Sequence, residues 1–251
     1  MMRSAPIASV ALATLSAAIL LVGMAAPPVL AAEGSAGNGP YLRAFGGYSV
    51  IEDPSIQGDN ISNGAVGPGI SRGSLSASGG FMGGGAGGYR WGILRLEGMG
   101  TYESHELNSF TSPQFTYRDL GGTLRTDMNA APSLSGNMKI FTGFVNAMLD
   151  VDFGYPVQPF VGGGVGFAHV NMDNVTGTSN GNIFRFADGS DTVLAFHALI
   201  GVAYKITSMF TAEVGYRFLT LNDASFTDST GGNFDVGIDS HQGWIGLRLN
   251  F

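Results

Sequence analysis

The sequence contains no cysteine, so it can build neither a disulfide framework nor a thiolate metal site or nucleophile. Charge is scarce as well. Only 12% of the 251 residues are Asp, Glu, Lys or Arg, too few for the Lys- and Glu-rich surfaces that exposed helices carry. The basic residues are the rarer sign, 12 against 19 acidic. No basic run that could hold phosphates is present, which removes nucleic acid from the expected partners. Beyond the first thirty residues no segment approaches the roughly 20 apolar residues of a membrane helix. Any membrane crossing by the rest of the chain has to be made by strands.

What is plentiful is Gly, at 40 residues, together with aromatics at 11%. Few helix formers and many strand and turn formers predict an all-β chain.

The first thirty or so residues have a composition of their own. Arg3 is followed by a predominantly apolar stretch from Ile7 to Val22 and then by Ala25-Ala26-Pro27-Pro28-Val29-Leu30-Ala31-Ala32. A positive start, an apolar middle and a small-residue end make a secretory signal peptide. The reading is a cleaved signal over residues 1–31, with Ala32 a near-equivalent cleavage point, and an exported domain over residues 32–251.

The last nine residues are the most informative. In Gly-Trp-Ile-Gly-Leu-Arg-Leu-Asn-Phe, residues Ile245, Leu247, Leu249 and Phe251 fall on one face of a period-two strand. Trp244, Gly246, Arg248 and Asn250 fall on the other. The segment before it repeats the pattern, with Val214, Tyr216 and Phe218 opposite Glu213 and Arg217. Residues 192–204 alternate too, and a five-residue link over 205–209 predicts a tight hairpin. Related pairs lie upstream at 135–151 with 158–170 and at 79–89 with 93–102. Adding residues 40–50 brings the count to eight. An even number of antiparallel strands can close, and closure removes the edges that lipid cannot satisfy. The connections alternate between short turns near Trp91, Gly154 and Thr207 and long polar stretches at about 51–78, 103–134, 171–191 and 220–240. These long stretches are expected to be external loops.

The Gly clusters at 83–88 and 162–164 need a separate account, because Gly weakens a strand. Inside a narrow barrel it permits bending and leaves room for long side chains from opposite strands. A phosphate-cradling loop would need a following helix and a Lys-Ser/Thr signature, and both are missing.

These features resemble the OmpA-like and OmpX-like small outer-membrane barrels, many of them known as opacity-type surface antigens. The resemblance is carried by Gly39-Pro40-Tyr41-Leu42, Phe141 to Asp152 with Asn146, Pro159-Phe160-Val161-Gly162-Gly163-Gly164-Val165-Gly166, Val214-Gly215-Tyr216-Arg217 and the terminal Leu249-Asn250-Phe251. It implies an eight-stranded antiparallel up-and-down transmembrane β-barrel with long external loops, set in the outer membrane of a Gram-negative cell. Its implied partners are outer-membrane lipid, lipopolysaccharide, the barrel-assembly machinery through the strand ending in Phe251, and a surface or host ligand at the loops.

In such a barrel Ile245, Leu247, Leu249, Phe251, Val214, Tyr216 and Phe218 are expected to face lipid. Arg43, Arg95, Glu97, Glu213, Arg217 and Arg248 are expected to face the lumen, where charges must be paired or hydrated. Both signs occur, and eight strands enclose little more than side chains. A charge network that plugs the lumen is therefore favoured over a pore. His105, His169, His197 and His241 show no metal-ligand or nucleophile spacing, and Ser240-His241 has no evident carboxylate beyond Asp239. Acidic residues such as Glu52, Asp53, Asp59, Asp188, Asp191, Asp223, Asp228, Asp235 and Asp239 read as a solvated outer surface and match no calcium loop. No catalytic site, metal or cofactor is expected. The expected function is a structural, adhesion or host-contact role of the external loops, with a small porin as the alternative.

Overall fold

A computed structural model describes residues 38–52, 54–58, 61–62, 65–66, 72–228 and 230–251 of the chain. The expected signal peptide lies outside the described residues. Eight long strands form a ring: β1 (Gly39–Ile51), β2 (Gly80–Trp91), β3 (Leu94–Arg118), β4 (Asn137–Asp150), β5 (Val157–Ser179), β6 (Asn182–Lys205), β7 (Phe210–Thr227) and β8 (Asn233–Asn250). Each pairs antiparallel with its sequence neighbour. The ring closes where β1 meets β8, from Tyr41 opposite Asn250 to Ile51 opposite Ser240.

The start of β1, the finish of β8 and the three short turns lie at one end of the ring, called here the terminal end. At the β2–β3 turn Gly92 takes a positive φ of 58°. In the turn between β4 and β5, Gly154 donates its N–H to Asp152 Oδ1 at 2.9 Å. Between β6 and β7, Thr207 Oγ1 accepts from the N–H groups of Met209 and Phe210. Each is a local side-chain or glycine solution to a chain reversal.

The opposite end departs from the sequence expectation. The stretches at 103–134, 171–191 and 220–240 are not loops but continuations of the strands, which run to 25, 23 and 24 residues in β3, β5 and β6. A membrane-spanning strand needs only about 9–11. The β5–β6 hairpin turns on Asn180 and Gly181, both at positive φ, 47° and 78°. That is the two-residue reversal whose twist matches its strands.

One segment of this hairpin end crosses the opening. Residues 112–118 of β3 pair with Leu124–Ala130. Their turn reaches β6, where Asp119 bridges Phe184 and Leu120 N–H donates to Ile183 O at 3.0 Å. β3 and β6 are not ring neighbours, so residues 112–130 form a strap over the mouth. It also satisfies part of the β6 edge that β7 leaves unpaired.

The strand faces sort by period two, as the pleat requires. At the terminal half of the ring Ile245, Leu247 and Ile200 point outward with exposures of 70%, 47% and 50%. Phe251, Phe141, Val145, Phe167 and Phe196 are exposed on the same outer wall. Val214, Tyr216, Phe218 and Leu249 also lie on this wall and are partly covered by their neighbours.

Candidate functional site

The ring interior is the densest collection of polar groups among the described residues, and it is layered. In the layer nearest the terminal end, Glu213 of β7 is the hub. It accepts from Arg43 of β1 at 3.3 Å, from Arg95 of β3 at 3.2 Å and meets Arg248 of β8 at 2.9 Å. Arg43 and Arg248 stand directly opposite each other across the β1–β8 seam. Like charges in that position repel, and a shared carboxylate offsets the repulsion. Arg43 also binds Glu97 at 2.5 Å, while Tyr41 donates its hydroxyl to the other Glu97 oxygen at 2.8 Å. Asp150 at the end of β4 takes Arg95 at 2.8 Å and Arg90 at 3.4 Å. The guanidinium of Arg43 lies 4.9 Å from the ring centres of both Phe45 and Trp244, and that of Arg95 lies 5.0 Å from Phe160. These aromatic faces stabilise cations held away from water.

The next layer is built on hydrogen bonds as much as on charge. Asn146 donates Nδ2 to Glu97 at 2.9 Å, which turns its Oδ1 toward His197 Nε2 at 2.7 Å. This arrangement makes Nε2 the protonated nitrogen of His197. Arg217 does not reach Glu213. It donates Nε to Gln242 Oε1 at 2.5 Å, and Gln242 Nε2 passes the chain on to both oxygens of Glu103 at 3.2 Å. Thr101 and Thr142 share a 2.5 Å hydroxyl contact beside it. Inward glycines make this packing fit. A Cβ on Gly164 would run into Asn146 Oδ1 and His197 Nε2, and one on Gly88 would lie 2.7 Å from Glu97 Cβ.

Toward the hairpin end the same inward rows become apolar. Phe110, Phe115, Tyr117, Phe184, Phe186 and Phe234 are fully buried and stack at 4.4–6.4 Å between ring centres. The strap contributes Phe115 and Tyr117. Its latch is Asp127, which accepts from Ser179 Oγ at 2.6 Å and from the Tyr117 hydroxyl at 3.2 Å. Burial and then the Asp127 charge raise the Tyr117 hydroxyl above its ordinary range. In the strap turn, the hydrogen bond from Arg125 at 2.8 Å and then the Thr123 N–H hold Asp119 below the usual carboxylate range.

The structure thus brings Arg43, Arg95, Glu97, Glu213 and Arg248 into one cluster and sets Arg217 apart in a second. Sequence reasoning passed over Arg90, Glu103, Asn146, Asp150 and Gln242 as members. Their parity carried the signal, since Glu103 lies on the row of Arg95 and Glu97, and Gln242 on the row of Arg248. His241 is a further correction. Its Nε2 lies 2.7 Å from Glu52 rather than beside Asp239, and Nδ1 receives the Tyr216 hydroxyl, all on the outer wall. Of the acidic residues read as outer surface, Asp53 and Asp59 lie outside the described residues.

The model of the family described as outer membrane protein beta-barrel domain matches residues 16–248. An outer membrane protein of Gluconacetobacter diazotrophicus is 32% identical, with 91% of this chain and 61% of that protein aligned. The chain therefore spans under two thirds of that relative's length. An uncharacterized protein of Brucella abortus is 26% identical over 54% of this chain and 49% of its own. Among solved structures, the outer membrane protein OprG of Pseudomonas aeruginosa superimposes with a TM-score of 0.53 at 13% identity, covering 85% of this chain and 97% of that one.

Proposed function

Because the chain belongs to the outer membrane protein beta-barrel domain family, we infer that it is a sealed barrel of the outer membrane whose outer hairpins carry a structural, adhesion or host-contact role. The terminal end faces the periplasm in this reading, as short turns do in such barrels, and the strapped end faces outward. Residues 1–31 are its export signal. Ile245, Leu247, Leu249, Phe251, Val214, Tyr216 and Phe218 contact lipid, and the strand ending in Phe251 is what the assembly machinery engages. Lipopolysaccharide surrounds the outer rim. No catalytic role is assigned to the interior.

The observation that supports sealing is the sequence of two barriers. Arg95, Arg217 and Arg248 are fully buried within the polar layers, and the aromatic cluster under the strap is equally buried. An ion entering from the terminal end would have to break buried pairs and then cross an apolar plug. The polar layers are the feature a small-porin reading would rest on. Planar bilayers decide between the two: the purified barrel should give no stable current steps under applied voltage, and regular unitary steps would establish the porin.

A further inference from the structure

We propose that the strap joins two copies of this chain edge to edge, through an antiparallel pairing of Leu124–Met128 with the same segment of the second copy. The inference rests on the reading that the strap lies on the cell's outer face. Leu124–Ala130 pairs on one side with residues 112–118, and among the described residues no strand pairs with its other side. An unpaired row of N–H and C=O groups is a template for another strand. Sheet proteins blunt such rows with lysine, proline or a cover. This one carries neither lysine nor proline, and it presents Leu124 and Met128 at 49% and 68% exposure.

The occupant follows from the order of the side chains. When the segment meets its own copy around Thr126, Leu124 stands opposite Met128 and Arg125 opposite Asp127, each twice. The apolar pairs share the exposed face, where they stabilise cross-strand neighbours, while Arg125 and Asp127 lie on the other face and keep their partners Asp119 and Ser179 within each chain, so that no like charges meet across the seam. Asn129, at a φ of 50°, leaves the extended conformation just beyond Met128. The pairable stretch therefore ends where the complementarity ends.

Symmetry agrees. An antiparallel pair is related by a two-fold axis perpendicular to its sheet. The strap crosses the mouth from β3 to β6, so that axis runs along the barrel. Two barrels inserted the same way round in one membrane are related by an axis of that direction. Five residues make an interface smaller than a stable soluble dimer needs. Barrels confined to one membrane already share their orientation, which lowers what association must still order.

Single cysteines test this cleanly, because the chain has none. In intact cells Thr126→Cys should react with a membrane-impermeant maleimide. In outer-membrane vesicles it should then form a covalent dimer with a short thiol cross-linker at least ten times more than Asn182→Cys on the neighbouring hairpin. Co-expressed Leu124→Cys and Met128→Cys should cross-link to each other more than either does to itself. Leu124→Lys with Met128→Lys should abolish the Thr126→Cys dimer, while Leu124→Lys with Met128→Glu should retain it, each with unchanged heat-modifiable mobility. Labelling without a dimer above the Asn182→Cys level overturns the pairing and leaves the outward orientation standing. No labelling of a folded barrel overturns both. A cross-linked product of another mass assigns the edge to a foreign strand and overturns self-association.

Discussion

The two halves of this barrel are built by the same strands and have opposite interiors. Along β3 the inward row runs Arg95, Glu97, Met99, Thr101, Glu103, His105 and then, past an irregularity at Asn108, Phe110, with a second change of parity between Ser112 and Phe115 bringing in Phe115 and Tyr117. Along β8 it runs from Arg248 through Trp244 and Gln242 to Ile238, Val236 and Phe234. What changes between the halves is the medium outside. Where the outer wall is aliphatic and aromatic, the interior holds the charges. Where the outer face carries Asp191, Asp223, Asp235 and Asp239, the interior is a conventional apolar core. The terminal half draws its order from ion pairs that lipid cannot compete for, the strapped half from the burial of apolar surface away from water. The two halves should therefore fail separately, and by different mutations.

The largest effect is expected at Glu213. Replacing it by Lys leaves Arg43, Arg95 and Arg248 with a fourth cation in a buried cluster, and losing one partner of such a pair alone costs about 3–5 kcal/mol. The variant should fail to give the compact, heat-modifiable form on gels, and normal mobility with unchanged melting in detergent would mean that the buried charges do not hold the terminal half together. The effect of Phe184→Ala is smaller and confined to the other half. Truncating a buried Phe costs about 3 kcal/mol or somewhat more. Here the cost falls on a layer that can open while the ring stays closed. External protease should nick the strap near Leu120 to Leu124, with the ring fragment still resistant to detergent. Loss of the ring in this variant would mean that the halves are one cooperative unit.

The terminal half was legible in the sequence because its pattern is a strict alternation ending in a fixed register. Ile245, Leu247 and Phe251 opposite Arg248, and Val214 opposite Glu213, have only one arrangement in a closed ring. The strapped half was not legible as strands, since its outward residues are Gly, Ser, Thr, Asn and Asp, the composition of a loop. The inward row gave the contrary signal through Phe184 and Phe186, or Phe226 and Phe234. The Asn180-Gly181 pair marked the hairpin between β5 and β6. Irregularities near Asn108, after Met172 and after Leu221 shift the parity by a residue, so a strand followed outward from the membrane loses its period there. Which arginine meets which carboxylate was beyond period and spacing. It depends on stagger around the ring, which puts Glu213 among Arg43, Arg95 and Arg248 and sends Arg217 to Gln242.

The smallest effect separates the strap from the layer beneath it. Asp119 accepts from Arg125 Nε and from the Thr123 N–H, and both hold its carboxyl below the ordinary value of 3.8. A group whose folded value is depressed contributes stability that is complete above its unfolded value and is lost as pH falls through the folded one. The turn should therefore tighten the strap at neutral pH and release it below about pH 4. Because the Asp119–Arg125 pair lies in a surface turn with its guanidinium exposed, the change should be modest and salt-sensitive. Hydrogen exchange of the amides from Leu120 to Arg125, corrected for intrinsic rate, should quicken on acidification, and Asp119→Asn should show the fast exchange at every pH. Asp152 at the terminal end is held low in the same manner, chiefly by the Gly154 N–H, and provides the matched control across the barrel. If acid loosens its turn but not the strap, the strap is held by Asp127 and its aromatic underside alone.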